Sequence, residues 1–93
     1  MLISVVIPCY YSEKTIRKVV ELVMAEFEKN DGYECEFVLV NDGSTDHTFE
    51  EIQKLGAQYP NVCGVNLMRN FGQHNALMAA LHNAKGDYVL GMD

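Results

Sequence analysis

The sequence has no tryptophan, two prolines and three cysteines in 93 residues, and seven lysines and arginines against thirteen aspartates and glutamates. Each scarcity rules something out. A net charge of −6 with scattered basic residues argues against a nucleic-acid groove, because neutralising a phosphate backbone takes clustered Lys and Arg. The same balance argues against this segment lying on an anionic membrane surface. Cys9, Cys35 and Cys63 are odd in number, widely spaced and without a Cys-x-x-Cys pair, so they signal neither a disulfide framework nor a zinc site. Reduced thiols are expected, which fits a cytosolic compartment. His47, His74 and His82 also lack metal-ligand spacing, since even His74 and His82 would stand about two helical turns apart. No stretch approaches the ~20 apolar residues of a membrane span, and Met1 to Pro8 has neither the basic flank nor the cleavage site of a signal peptide.

What remains is the composition of a globular domain, 48% hydrophobic and 22% charged. At this length a core is possible but thin. Leu2 to Ile7 is a nearly continuous apolar run, the pattern of a strand in a parallel sheet covered on both faces, and Pro8 is expected to end it. Ser12 is placed to cap a helix whose apolar stripe is Ile16, Val19, Val20, Val23 and Phe27. Asn30-Asp31-Gly32 closes that helix. A second strand spans about Cys35 to Val40. It runs into Asn41-Asp42-Gly43-Ser44-Thr45-Asp46, a turn that bends at Gly43 and offers Ser44 or Thr45 as the cap of a second helix. That helix starts near Asp46, buries Phe49, Ile52 and Leu55, and must stop before Pro60.

Val62 to Leu67 reads as a third strand, less hydrophobic and so nearer a sheet edge. A third helix, with Leu77, Ala80, Leu81 and Ala84 on one face, is closed by Gly86. Tyr88-Val89-Leu90 then opens a fourth strand, expected to be buried, that ends at Met92-Asp93. Strands alternating with helices predict an α/β architecture, a three-layer αβα Rossmann-like sheet, mostly parallel, reaching its fourth strand. Residues 1–93 read as one unit. The abrupt stop after that strand is expected to mark the front of a longer protein.

In such sheets ligands sit beyond the carboxyl ends of the strands. Three segments are expected to meet there: Pro8 to Glu13, Asn41 to Asp46, and Met92-Asp93. Gly-x-Gly-x-x-Gly is missing after the first strand, where Pro-Cys-Tyr-Tyr-Ser-Glu stands, and no Gly-x-x-x-x-Gly-Lys occurs, so neither common phosphate loop is present. An ionised Asp42 only accepts hydrogen bonds, which suits ribose hydroxyls or a base N–H better than a phosphate. Glu13 and Asp46 also have a plainer use, favouring the dipole at a helix start. Arg69 could likewise be a solvated or ion-paired side chain.

Val5-Val6-Ile7-Pro8-Cys9-Tyr10 with Ser12-Glu13, then Val40 to Asp46, then Met92-Asp93, resemble in order and spacing the family 2 glycosyltransferases of the GT-A fold. The resemblance covers essentially the whole chain. Arg69-Asn70-Phe71-Gly72-Gln73 and the run from Ala76-Leu77 to Val89 look most like the branch that transfers sugars to polyprenyl or dolichyl phosphate. It implies a nucleotide-sugar-binding portion of an inverting, metal-dependent glycosyltransferase. Pro8, Tyr10 and Glu13 would line the base and ribose pocket of a UDP- or GDP-sugar, Asp42 would bond the nucleoside, and Arg69 would approach the phosphates. Asp93 would be the first aspartate of an Asp-x-Asp motif and a ligand of Mg²⁺ or Mn²⁺.

The catalytic base, the second metal aspartate and the site for a glycan or lipid-phosphate acceptor are expected beyond Asp93. The segment alone is therefore expected to be inactive. Tyr11 departs from the family, which often has Asn there. The implied location is cytoplasmic, at the inner membrane face if downstream segments anchor it, and the sheet edge at Val89 to Met92 invites pairing with a second copy. Two other readings are a sugar-phosphate nucleotidyltransferase, against which the missing Gly-rich basic opening loop counts, and a catalytically inactive nucleotide-binding or scaffold module.

Overall fold

The computed structural model describes residues 1–30, 32–67 and 84–91, with the side chains of Asp42 and Leu67 left out. The elements are β1 (Leu2–Cys9), α1 (Ile16–Glu28), β2 (Glu34–Asp42), α2 (Thr48–Gln58), β3 (Val62–Leu67) and β4 (Tyr88–Gly91). They form one sheet in the order β3-β2-β1-β4, with every neighbouring pair parallel. The chain moves outward from β1 to β3 and then returns to the far side of β1. That reversal makes the carboxyl end of β1 the switch point, where a crevice forms in open α/β sheets.

The alternation of a strand sorts the core into two faces. Val5, Ile7 and Cys9 of β1 and Phe37 and Leu39 of β2 point to the face that Ile16 and Val20 of α1 and Ile52 and Leu55 of α2 cover. Val6, Val38 and Val40 point the other way and are equally closed to solvent, with Val65 and Ala84 packed on them. Both faces of the two central strands are thus covered, as their unbroken apolar runs imply. Arg17 adds a polar tie between the helices, donating from Nε to Glu51 at 2.7 Å and from a terminal nitrogen to Gln58 at 2.6 Å.

Three expectations are corrected here. Pro8 does not end β1; it pairs with Val40, and the strand runs on to Cys9. The backbone alternation explains the tolerance. The Leu2 carbonyl accepts from Asp87 on the β4 side, so Leu2, Ser4, Val6 and Pro8 all turn their backbone groups that way, and β1 is paired with β4 only as far as Val6. A proline fits where no ladder donor is required. Ser12 does not cap α1, which begins at Ile16 after Thr15, because its hydroxyl donates to the Tyr10 carbonyl instead. Nor is β4 buried: Tyr88, Val89 and Leu90 are 60%, 47% and 48% exposed, and β4 is outermost among the described strands, with β1 as its one paired neighbour there. The edge placement of β3 is as expected. The expected third helix lies mostly outside the described residues.

A small clamp fixes β4 against β1. Gly86 donates its N–H to the Ser4 hydroxyl at 2.7 Å, Ser4 donates to the Glu36 carboxylate, and Lys85 N–H reaches the same oxygen. Asp87 accepts from Leu2 N–H at 3.0 Å and returns its own N–H to the Leu2 carbonyl at 2.8 Å. Residue 86 must be glycine for this approach, since a Cβ would lie 2.5 Å from the Ser4 hydroxyl, 2.7 Å from the Ser4 nitrogen and 2.9 Å from the Leu2 carbonyl.

Candidate functional site

The register Cys9↔Asn41 brings the loops after β1 and β2 side by side at the carboxyl edge. Gly43, with φ of 74°, lets the chain reverse after Asp42. Asn41 is nearly closed to solvent, and both ends of its amide are hydrogen-bonded. Its oxygen accepts the Ser44 N–H at 3.2 Å, and its nitrogen donates to Asn66 on β3 at 2.9 Å. Asn41 therefore shapes the turn that follows β2.

Three hydrogen bonds clasp the two loops together. Tyr11 N–H donates to Ser44 Oγ, the Tyr11 hydroxyl shares a hydrogen bond with Thr45 Oγ1, and Ser12 N–H donates to Thr48 Oγ1, each at 2.9 Å. Ser44 and Thr45 are thus loop ties and not caps of α2, which starts at Thr48. The buried Thr48 hydroxyl passes the chain on by donating to Asp46 Oδ1, which also accepts the Thr48 N–H at 3.0 Å. Burial by itself would raise the Asp46 carboxyl, but the hydrogen bonds from Thr48 outweigh it and hold the group below its usual range. His47 is raised, chiefly by its hydrogen bond to Glu50, with the charges of Glu50 and Glu13 adding to it.

The residues singled out from the sequence fall as follows. Pro8 is half-buried near the end of β1, and Glu13 is half-buried in the turn before α1. Tyr10 stands 54% exposed on the loop after β1, its ring edge-to-face with that of Tyr11 at 4.5 Å. Asp42 closes β2, its backbone paired with Leu67. Arg69 and Asp93 lie outside the described residues, as do His74 and His82. The described part of the edge therefore unites the positions of Pro8, Tyr10, Glu13 and Asp42.

Sequence reasoning missed Tyr11, Ser44, Thr45 and Thr48 as the parts that hold the edge together. The density of Ser and Thr was the available signal. Among the described residues no group of three or more His, Cys, Asp or Glu could hold an ion, and the Asp46 carboxylate is already engaged by Thr48. All three cysteines are free, as expected.

A cavity of about 630 Å³ lies at the opposite edge, lined in part by Leu2, Phe27, Tyr33 and Asn61. Its wall also carries Glu28, Glu34 and Glu36. Three carboxylates there would repel a nucleoside diphosphate.

The sequence profile described as Glycosyl transferase family 2 matches residues 4–93. The chain belongs to glycosyltransferase family 2. Among family 2 relatives, the prophage bactoprenol glucosyl transferase homolog of Escherichia coli (strain K12) is 39% identical over 93 residues, covering 100% of this chain and 30% of that protein. The undecaprenyl-phosphate 4-deoxy-4-formamido-L-arabinose transferase of Edwardsiella ictaluri (strain 93-146) is 40% identical over 93 residues, covering 98% of this chain and 28% of that protein. Among solved structures, S. aureus TarS 1-349 in complex with UDP-GlcNAc matches with a TM-score of 0.81 at 33% identity, over 100% of this chain and 26% of that one. This chain spans less than a third of the length of these curated relatives. The family implied by the motifs is the family found, and the α/β parallel sheet is the expected fold.

Proposed function

We propose that this chain is the donor-nucleotide part of a glycosyltransferase that moves a sugar from a nucleoside-diphosphate sugar to a polyprenyl phosphate, with inversion at the anomeric carbon. The observation that carries this reading is the clasped carboxyl edge. Two loops are locked by three hydrogen bonds, Tyr10 stands exposed beside them, and the strand that ends in Asp42 feeds directly into one of them. A rigid edge loses little freedom on binding. Tyr10 offers an aromatic face to the base, and Asp42, an acceptor only, takes hydrogen bonds from ribose hydroxyls or the base. The bactoprenol and undecaprenyl-phosphate transferases among the relatives support a lipid-phosphate acceptor. The UDP-GlcNAc complex of a neighbour supports a nucleoside-diphosphate donor.

The chemistry is one displacement, in which an acceptor oxygen attacks the anomeric carbon and the nucleoside diphosphate departs. Asp93 would help hold Mg²⁺ or Mn²⁺, which when bound neutralises charge on the departing diphosphate. The catalytic base and acceptor site belong to parts outside this chain. Among the described residues no helix is long and apolar enough to cross a membrane; a lipid-phosphate acceptor would bring the protein to the cytoplasmic membrane face through other segments.

Calorimetric titration of UDP and GDP into the intact protein, with and without Mn²⁺, tests this reading. One nucleotide should bind in a metal-dependent way, and Asp42→Ala should weaken it about 10- to 100-fold, the loss expected for hydrogen bonds to a charged group. Absence of binding by either nucleotide under every condition would overturn it.

A further inference from the structure

We propose that Tyr11 is a positioning residue of the donor site, a strained strut that sets the attitude of Tyr10 and the spacing of the two loops. The inference rests on the donor reading above but concerns a residue which that reading leaves without a role. Tyr11 has φ of +51°, and among the described residues it is the one non-glycine with a positive φ. That conformation is unfavourable for a bulky side chain and much easier for Asn. Strain of this kind persists only where surrounding contacts hold it.

Those contacts are on the page. The Tyr11 N–H is held by Ser44 and its hydroxyl by Thr45, both on the facing loop. Its ring meets that of Tyr10 edge-to-face, with centroids 4.5 Å apart and planes at 81°. The phenol thus spans the gap between the loops at one end and buttresses the exposed neighbouring ring along its side. Nothing in this arrangement serves the core, since Tyr11 is half exposed. A loop chosen for stability alone would place Asn or Gly at this position.

The inference separates stability from binding, and two variants of the intact protein read both. Tyr11→Asn keeps the backbone N–H that Ser44 accepts, relieves the strain, and removes the phenol. It should melt at or above the wild-type temperature yet bind its nucleoside diphosphate about fivefold or more weakly, the factor expected for one lost hydrogen bond and a freed ring. Tyr11→Phe keeps the ring but not the bond to Thr45, and should lie between the two in affinity. Wild-type affinity in Tyr11→Asn, or a loss of affinity accompanied by a matching fall in melting temperature, would overturn the proposal, the second outcome marking a merely structural residue. If the wild-type protein binds neither UDP nor GDP, the donor reading itself has failed and this inference falls with it.

Discussion

Replacing Gly86 with alanine tests how β4 is held. The new Cβ would press on the Ser4 hydroxyl at 2.5 Å and on backbone atoms of Ser4 and Leu2 at 2.7 and 2.9 Å. Backbone in a central strand cannot step aside, so the 85–87 turn must move. Its movement strains or breaks the bonds from Gly86 to Ser4 and from Lys85 to Glu36, at about 1 kcal/mol each. Overpacking adds about 1–3 kcal/mol, and the stiffer unfolded chain returns about 0.4–1 kcal/mol. A net loss of about 2–4 kcal/mol follows. With the urea slope of a small protein, about 1–3 kcal/mol/M, the unfolding midpoint should fall by about 0.7–4 M.

Gly91→Ala is the matched control, because among the described residues nothing lies within 4 Å of the added methyl. It should stay within about 0.5 kcal/mol of the parent. Amide exchange supplies the location. Ser4 and Val6, whose N–H groups face β4, should exchange faster in Gly86→Ala, while Val5 and Ile7, which face β2, stay protected. Equal urea midpoints for the two variants, or faster exchange spread evenly over β1, would refute the reasoning.

The cysteines should separate by burial. Cys9 is closed to solvent and its thiol is pushed up to about 12, chiefly by burial. The thiolate is the reactive form, so iodoacetamide at about pH 8 should alkylate exposed Cys63 first, Cys35 more slowly and Cys9 only in denaturant; peptide mass spectrometry showing Cys9 labelled as fast as Cys63 in the native protein would contradict this. Asp46 should titrate below its ordinary value of about 3.9. A depressed folded pKa gives stability that is present above the unfolded value and lost as pH falls through the folded one. Thr48→Val leaves the burial but removes the hydroxyl bond, so the Asp46 midpoint, read by NMR at its carboxyl carbon, should rise, and an unchanged midpoint would count against the Thr48 contact.

The strands were legible because their signal is local and repetitive. The apolar runs at Val5 to Ile7 and Phe37 to Val40 demand cover on both faces, and the weaker run at Val62 to Leu67 belongs at an edge, where it is found. The hydroxyl residues were not legible in the same way. Ser12, Ser44 and Thr45 have the chemistry of helix caps, but their partners lie in loops that sequence spacing cannot bring together: Tyr11 finds Ser44 from 33 residues away and Ser12 finds Thr48 from 36. Pro8 was misjudged for a related reason. Whether proline breaks a strand depends on which neighbour its missing N–H would face, and that is a property of the sheet. The place of β4 beside β1, outermost among the described strands, is likewise a matter of strand order, which hydrophobicity does not encode. Of the proposed donor-site residues, Tyr10 and Asp42 were singled out from the sequence, whereas the strained residue between the loops was visible there only as a departure from its family.

The most direct test of the central claim is to map, by amide NMR, where a nucleoside diphosphate touches the intact protein. Adding UDP or GDP with Mg²⁺ should shift the signals of Tyr10, Tyr11, Ser12, Asp42 and Ser44 together and leave Tyr33 and Asn61, at the opposite end of the sheet, unmoved. Shifts concentrated at Tyr33 and Asn61 would mean that the donor does not bind at the clasped carboxyl edge.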